Sequence, residues 1–293
     1  MTGVAASART PAARDRQVRR VILIEGSANA AVLAMKLVAG LATGSMALLS
    51  DAIHSLSDLA NNVVAWFVAR LSSEPPDREH PYGHRKFETL AVFGLASLLT
   101  VLAFEIGIGA LRREPQPITT ERWTLALMGA VLAVNLALAA WEGRWARRLD
   151  SDILRADSRH TIADVLTTVV VIVGWQLGAR GLAWLDTVCA LGVAGLVLYL
   201  AYGLFRSAVP ILVDRAALDP EAIARVASGV PGVRRVSDVR SRWTGKAAAV
   251  DLVVEVLPTL TTAEAHEIAD RIEVALANRF AVADTTVHVE PES

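Results

Sequence analysis

SDAIHSLSD, residues 50–58, lies inside a long apolar run, and the shorter stretch HTIAD at residues 160–164 repeats its main spacing. Each stretch contains a His followed four residues later by an Asp, namely His54, Asp58, His160 and Asp164. In an α-helix, residues four apart lie one above the other on the same face. Each stretch is therefore predicted to present an imidazole beside a carboxylate on one helix face.

The apolar surroundings of these two pairs favour a metal site. A charged Asp near the centre of a membrane-spanning helix costs roughly 2.5–3.5 kcal/mol on insertion scales, so something must compensate for it. Two neutral imidazoles and two carboxylates suit tetrahedral Zn²⁺, whose charge cancels both carboxylates. The alternative is that each pair is packed inside a helix bundle without a metal. The spacing alone does not show that the two helices touch.

The composition indicates a membrane protein. Of the 293 residues, 53% are hydrophobic and 20% are charged, and the mean hydropathy is +0.41. A soluble domain of this length normally carries more charge. The net charge of −1 and the lack of a basic patch give no reason to expect a nucleic-acid partner. The single cysteine, Cys189, excludes an intramolecular disulfide and a Cys-based zinc cluster.

Six apolar segments are long enough for the ~20 residues that a bilayer requires. They lie near residues 21–43, 46–70, 87–111, 122–145, 157–178 and 184–206. Lys and Arg are concentrated in residues 1–20, in the 70–86 loop and in the 144–159 connection, so both termini are predicted to be cytoplasmic. We expect a cytoplasmic tail (1–20) rather than a signal peptide, followed by a six-helix domain (21–206) in the cell (inner) membrane.

Residues 207–293 are predicted to form a small cytoplasmic α+β domain, because charges are spread along the segment and its elements follow the order αββαβ. These elements are a helix from Asp219-Pro220, strands at 233–243 and 247–257 around Thr244-Gly245-Lys246, a helix with a Thr261/Glu264 capping box, and a strand at 285–289. We expect an open sheet covered on one face by helices. Its core is small, so dimerisation would stabilise it.

Several motifs of other functional classes are missing from the sequence. It has no Walker A loop, no phosphorylatable Asp-Lys-Thr-Gly motif and no His-Glu-x-x-His pair. Their absence argues against ATP-driven pumping by this chain alone and against zincin-type proteolysis. We therefore do not expect an enzyme.

Three motifs together resemble the cation diffusion facilitator family of divalent-metal/proton antiporters, over about residues 20–291. They are SxxLLSDAIHSLSD at 45–58, HPYGHRKFE at 80–88 and RADxxHxxxD at 155–164. The resemblance implies a homodimer with six spans per protomer and a metal site between the second and fifth spans. It also implies that the cytoplasmic αββαβ domain has a metallochaperone-like (ferredoxin-like) fold.

Carried onto this chain, the resemblance places the transport site on His54, Asp58, His160 and Asp164. The His at position 54, where some members have Asp, resembles the zinc-preferring branch. Asp51 lies on the same helical face as His54. It is interpreted either as an entry ligand or as a polar residue near the outer mouth.

A second candidate metal site lies in the loop after the second span. Asp77, His80 and His84 supply three oxygen or nitrogen ligands within eight residues, and Pro81 and Gly83 interrupt them. Members of the family use this loop to bind metal. The alternative is a solvated loop in which the two histidines only cap the third span.

A third candidate site lies in the soluble domain, where the family has cytosolic regulatory sites. The matching residues are Asp251, His266, His288 and Glu290. Ser237 and Val253 stand where some members have further His ligands, so we expect one site rather than a binuclear centre. The alternative is a pair of exposed surface histidines.

Lys86 and Asp214 match another feature of the family. At these positions its members hold the spans and the cytoplasmic domain together by a charge pair across the dimer.

The sequence thus favours a secondary transporter that exports Zn²⁺ from the cytoplasm in exchange for H⁺ by alternating access. Its expected partners are divalent metal ions, protons, membrane lipid and a second copy of the chain. The main alternative is a membrane-anchored metal sensor without transport activity. A passive channel is a weaker alternative, because a closed tetrahedral site holds ions too tightly for fast conduction. The choice among Zn²⁺, Cd²⁺, Fe²⁺, Co²⁺ and Mn²⁺ stays open, as does the proton stoichiometry.

Overall fold

The computed structural model describes residues 11–43, 46–112, 122–178 and 183–292. The long helices are α1 Pro11–Thr43, α2 Met46–Leu71, α3 Lys86–Arg112, α4 Arg122–Leu149, α5 Asp152–Gly178 and α6 Ala183–Leu212. The shorter elements are α7 Pro220–Ser228, β1 Arg235–Thr244, β2 Ala247–Val256, α8 Thr262–Phe280 and β3 Asp284–Pro291. The chain forms two compact units, Met1–Glu74 with Leu90–Arg206, and Pro75–Thr89 with Ser207–Ser293.

Within the described residues, three helical segments are long and apolar enough to cross a membrane. They are Ala12–Val38, Lys86–Arg112 and Thr187–Leu212. Helices α2, α4 and α5 have 26, 28 and 27 residues, which exceeds the ~20 that a bilayer requires. Helices α2 and α5 carry the His-x-x-x-Asp pairs, and such polar residues lower the hydropathy of a helix. The number of six spans therefore stays a prediction.

A buried cluster of mostly small and branched residues holds the first unit together. Helix α1 packs against α2 and α4, and α4 packs against α5. Ile22, Ala65, Ala146 and Leu154, from α1, α2, α4 and α5 respectively, are all buried in this cluster. Small residues such as Ala let neighbouring helix backbones approach closely. The cluster therefore places α2 and α5 in one bundle.

The soluble part of the second unit is a three-stranded sheet in the order β1-β2-β3. Strand β1 pairs antiparallel with β2, and β2 pairs parallel with β3. Val250, Leu252 and Val254 of β2 pack against α7 and α8, as do Val287 and Val289 of β3. Because side chains alternate across a strand, the other face of the sheet is not part of this core. The predicted αββαβ order is present, with both helices on one face.

Local signals define the ends of these shorter elements. The Asp219 side chain accepts a hydrogen bond from the backbone N–H of Glu221 at 3.2 Å and caps α7. Thr261 and Glu264 form the predicted capping box of α8. Gly245, with φ of +80°, allows the tight turn between β1 and β2. The predicted caps and hairpin turn are confirmed.

Shortening a core side chain of α8 is expected to destabilise the soluble domain. Ile272 is fully buried, and Ile→Val in a core typically costs about 1 kcal/mol of unfolding free energy. Hydrogen exchange should therefore quicken roughly fivefold at those amides of β2 that exchange only when the domain opens. The matched control is Val274→Ala, because Val274 lies on the same helix and is exposed. If both variants exchange at the wild-type rate, the sheet is not held by this helix.

Candidate metal centres

Asp58 of α2 and two residues of α5, His160 and Asp164, come together in the first unit. His160 Nε2 lies 3.6 Å from Asp58 Oδ1 and 3.8 Å from Asp164 Oδ2. All three side chains are largely buried, and one ligand atom from each lies within 4.8 Å of the others. We call these three residues the α2–α5 cluster. Asn61 Nδ2 also lies 3.5 Å from His160 Nε2.

The α2–α5 cluster shows that α2 and α5 touch at the two motifs, which the sequence spacing alone did not establish. Three of the four predicted ligands lie together. His54 falls within helix α2, one turn before Asp58, but its side chain lies outside the described residues, as does that of Asp51. The place of His54 as a fourth ligand stays a prediction.

Asp77, His80 and His84 also converge, and we call them the loop cluster. Asp77 Oδ2 lies 3.4 Å from His84 Nε2, and Asp77 Oδ1 lies 3.5 Å from His80 Nδ1. His84 Nδ1 lies 3.1 Å from the carbonyl oxygen of Pro75, a geometry in which Nδ1–H donates. That hydrogen bond leaves the Nε2 lone pair directed toward Asp77, an arrangement common in metal-binding histidines. Gly83, with φ of +81°, turns the chain between the two histidines.

Backbone hydrogen bonds stabilise the ionised form of the Asp77 side chain. Asp77 Oδ1 accepts from the N–H groups of His80 at 2.6 Å and Glu79 at 2.9 Å. These bonds, with His80 contributing most, lower the pKa of Asp77 below its ordinary value. A carboxylate beside two imidazoles can bind a divalent cation at neutral pH.

The 75–89 segment packs on the β-hairpin of its own unit. The Arg242 guanidinium of β1 lies 4.4 Å from the centre of the Tyr82 ring, a cation–π contact. A Cβ at Gly245 would collide with Arg85. Lys86 Nζ lies 2.6 Å from Asp214 Oδ1. The resemblance implied this charge pair across a dimer, whereas here it forms within one chain, where an exposed pair contributes only ~0–1 kcal/mol.

The candidate residues of the soluble domain do not meet at one point within the chain. Asp251 lies between core residues of β2, and His288 lies between core residues of β3, so both occupy the open face of the sheet. Glu290 lies at the end of β3 and lines one cavity together with His266 of α8. His288 Nε2 is 3.6 Å from Glu290 Oε1. His266 lies on α8, which covers the other face, and its Nε2 is 3.7 Å from Asp270 Oδ1. His266 and His288 therefore lie on different faces of the sheet, and neither belongs to a convergent group of three ligands among the described residues.

A further group of acidic residues was missed by the sequence analysis. Glu25 of α1, Glu142 of α4 and Asp157 of α5 are all buried and bring one carboxylate oxygen each within 4.8 Å of the others. We call them the acidic cluster. The sequence did show one acidic residue inside each of three apolar helices. Helical spacing relates residues of the same helix only, so it did not predict that these three residues meet. Among the residues that the structure describes, these three clusters are the only convergent groups of three or more potential metal ligands.

Two family models together match nearly the whole chain. Residues 22–213 match the cation efflux transmembrane domain, and residues 217–292 match the cytoplasmic domain of cation efflux proteins, a dimer-forming type. The chain therefore belongs to the cation efflux family, which comprises transporters rather than enzymes. This confirms the family resemblance of the sequence motifs.

Curated relatives are similar over almost their full length. The cation-efflux pump FieF of Pectobacterium carotovorum subsp. carotovorum is 34% identical over 283 residues, which cover 94% of each chain. The uncharacterized transporter sll1263 of Synechocystis sp. is also 34% identical over 283 residues, which cover 94% of this chain and 91% of that one. Among solved structures, a single-residue variant of MamM-CTD is 30% identical and covers 25% of this chain and 92% of its own, with a TM-score of 0.24.

Proposed function

We propose that this protein exports divalent metal cations, with Zn²⁺ as the main substrate, from the cytoplasm in exchange for protons. The convergence of Asp58, His160 and Asp164 from two helices is the observation that supports this function most strongly. Buried carboxylates in a membrane domain need a compensating positive charge, and a divalent cation supplies it. A cation bound there is the transported substrate.

The ligand chemistry favours zinc. Imidazole nitrogen and carboxylate oxygen are ligands that Zn²⁺ accepts in tetrahedral geometry, whereas Mg²⁺ and Mn²⁺ prefer oxygen alone. In our proposal His54 is the fourth ligand, so that the complete site has two nitrogen and two oxygen donors. Two carboxylates then balance the double positive charge of the ion.

Proton exchange follows from the histidine ligands. An imidazole binds metal only when it is neutral, so protons and Zn²⁺ compete for it. A pH gradient supplies about 1.4 kcal/mol per pH unit for each proton that moves down it. Rocking of one group of helices against another would expose the α2–α5 cluster to each side of the membrane in turn.

The proposed setting is a homodimer in the inner membrane, with six spans per protomer and both termini in the cytoplasm. The excess of Lys and Arg in the 70–86 and 144–159 connections supports this orientation. In this arrangement the loop cluster binds an auxiliary metal ion at the cytoplasmic surface. Asp251, His266, His288 and Glu290 form a regulatory site that is completed by the second chain.

A metal panel in proteoliposomes with an imposed pH gradient tests this function. Zn²⁺ should be taken up fastest among Zn²⁺, Cd²⁺, Fe²⁺, Co²⁺ and Mn²⁺. A membrane-anchored sensor would bind these ions without gradient-driven uptake. A passive channel would conduct them at the same rate with or without the pH gradient.

Replacing His54 by Asp is expected to broaden the range of transported metals. A carboxylate oxygen then takes the place of the imidazole that favours Zn²⁺, so Cd²⁺ or Mn²⁺ uptake should rise relative to Zn²⁺ uptake. The same vesicle panel measures this ratio. Unchanged selectivity would show that His54 does not contact the ion.

The double variant His266→Ala/His288→Ala is expected to reduce transport without abolishing it. The ion pathway lies in the spans, and a cytosolic site only biases a conformational equilibrium. Zinc should raise the melting temperature of the wild-type protein more than that of the variant, because a bound ion stabilises the native form by mass action. Equal zinc-dependent shifts would leave both residues as ordinary surface histidines.

A further inference from the structure

The acidic cluster is buried more completely than either of the other two groups. Glu25, Glu142 and Asp157 are 2%, 0% and 4% exposed. Both carboxylate oxygens of Glu142, and Oε2 of Glu25, have no hydrogen-bond partner in the described part of the chain. Buried polar atoms are nearly always paired, so three unpaired carboxylate oxygens at one point require an explanation.

Among the described residues, the only base whose charge is recorded as acting on this group is His160, which interacts electrostatically with Asp157. Within the described residues, none of the three carboxylates forms an ion pair with Lys, Arg or His. An unpaired buried charge costs several kcal/mol, and three adjacent carboxylates add mutual repulsion. A single imidazolium cannot offset three carboxylates, so further positive charge must come from solution, either as protons or as a metal cation.

The geometry suits a single cation held by all three carboxylates. A proton bridges two oxygen atoms, whereas one cation can contact carboxylates from three helices at once and give both Glu142 oxygens a partner. Oxygen-only donors are the ligands that Mg²⁺, Ca²⁺ and Mn²⁺ prefer, at roughly 2.0–2.6 Å for the first two. A cation at these metal–oxygen distances fits between oxygens that lie within 4.8 Å of one another.

A neighbouring amide pair orients one of the carboxylates. Asn62 Nδ2 lies 3.5 Å from Asp157 Oδ2, and Asn62 Oδ1 accepts a hydrogen bond from Asn29 Nδ2 at 2.8 Å. The second contact fixes which end of the Asn62 amide faces Asp157. Such second-layer hydrogen bonds are typical of side chains that bind metals.

The acidic cluster lies beside the α2–α5 cluster on α5, the one helix that the two clusters share. Asp157 precedes His160 by three residues and Asp164 by seven, which places all three on one face of α5. Asn62 follows Asp58 by four residues on α2. Asp157 is thus nearer the start of α5, where Arg155 and Arg159 also lie.

We propose that Glu25, Glu142 and Asp157 form a second cation site that takes one hard, oxygen-preferring divalent cation such as Mn²⁺ or Mg²⁺. The bound ion ties α1, α4 and α5 together, next to the α2–α5 cluster but separate from it. This site does not depend on what the protein transports, because it is defined by binding alone.

Counting bound Mn²⁺ by electron paramagnetic resonance tests the proposal on the full-length, metal-stripped protein in detergent. The double variant E25Q/E142Q keeps the side-chain shapes but removes two negative charges, and we expect it to bind one Mn²⁺ fewer per chain than wild type. The matched control is E105Q, because Glu105 is an exposed acidic residue of α3 that belongs to none of the three clusters. Equal Mn²⁺ counts in wild type and E25Q/E142Q would overturn the proposal and leave protonation as the means of neutralisation.

Two further measurements separate this site from its neighbour and from a folding defect. In a D58N/D164N background, E25Q/E142Q should still remove one Mn²⁺, and disappearance of the difference there would assign the ion to the α2–α5 cluster instead. In the protein without substitutions, Mn²⁺ should protect Glu142 from modification by a hydrophobic carbodiimide, as located by mass spectrometry. Labelling that Mn²⁺ does not change would overturn the proposal without any variant.

Discussion

Replacing Asp58 or Asp164 by Ala is expected to abolish zinc transport while the protein still inserts into the membrane. Each substitution removes one carboxylate from the α2–α5 cluster, in which both flank His160 at 3.6 and 3.8 Å. Loss of even an outer partner of a metal ligand typically costs about 10–100-fold in affinity, so loss of a ligand should reduce flux by at least about 100-fold. Removing a costly buried charge should ease membrane insertion rather than impair it.

Zinc uptake into proteoliposomes measures this effect, with protein content and orientation matched between samples. Glu105→Ala is the matched control, since it removes an acidic residue of α3 that lies outside the α2–α5 cluster. Its uptake should equal that of wild type. Retained zinc flux in Asp58→Ala or Asp164→Ala would remove the α2–α5 cluster from the transport pathway.

Zinc binding at the α2–α5 cluster is expected to weaken steeply as the pH falls. A histidine that is protonated before zinc binds must first lose its proton. For each such histidine, the affinity for zinc falls about tenfold when the pH falls by one unit. With His54 and His160 both bound to zinc, the loss reaches roughly 100-fold per pH unit. The zinc affinity must fall rather than rise on acidification, because zinc binds neutral imidazole and acid favours imidazolium.

Zinc titrations over a range of pH values measure this slope. In His54→Asp only one histidine remains, so the limiting slope should fall to about tenfold per unit. The proton count can be checked independently by the pH change of a weakly buffered solution on zinc addition. A zinc affinity that does not vary with pH would contradict proton exchange at these residues.

Features encoded by neighbouring residues were predictable from the sequence. The Asp219 cap, the Thr261/Glu264 capping box and the Gly245 turn depend on contacts within a few residues, and the structure contains each of them. The helical periodicity of α5 likewise placed His160 and Asp164 on one face. Helix propensity and side-chain direction are local properties, and a sequence shows them directly.

Features that join distant segments were not predictable in the same way. The acidic cluster combines residues from α1, α4 and α5, and no spacing rule relates Glu25 to Glu142. Similarly, the parallel pairing of β3 with β2 puts His288 on the open face, while α8 carries His266 over the other face. The family resemblance assigned His266 and His288 to one metal site, but within a single chain they lie on different faces of the sheet.

The cation efflux family membership and the α2–α5 cluster lead to one central claim, that Zn²⁺ is exchanged for protons at this cluster. Its most direct test is Zn²⁺ uptake into sealed proteoliposomes with an acidic lumen, before and after an ionophore collapses the pH gradient. We expect uptake in wild type that slows when the gradient collapses, and none in Asp58→Ala or Asp164→Ala under either condition. Uptake that is indifferent to the pH gradient, or that survives these substitutions, would contradict the claim.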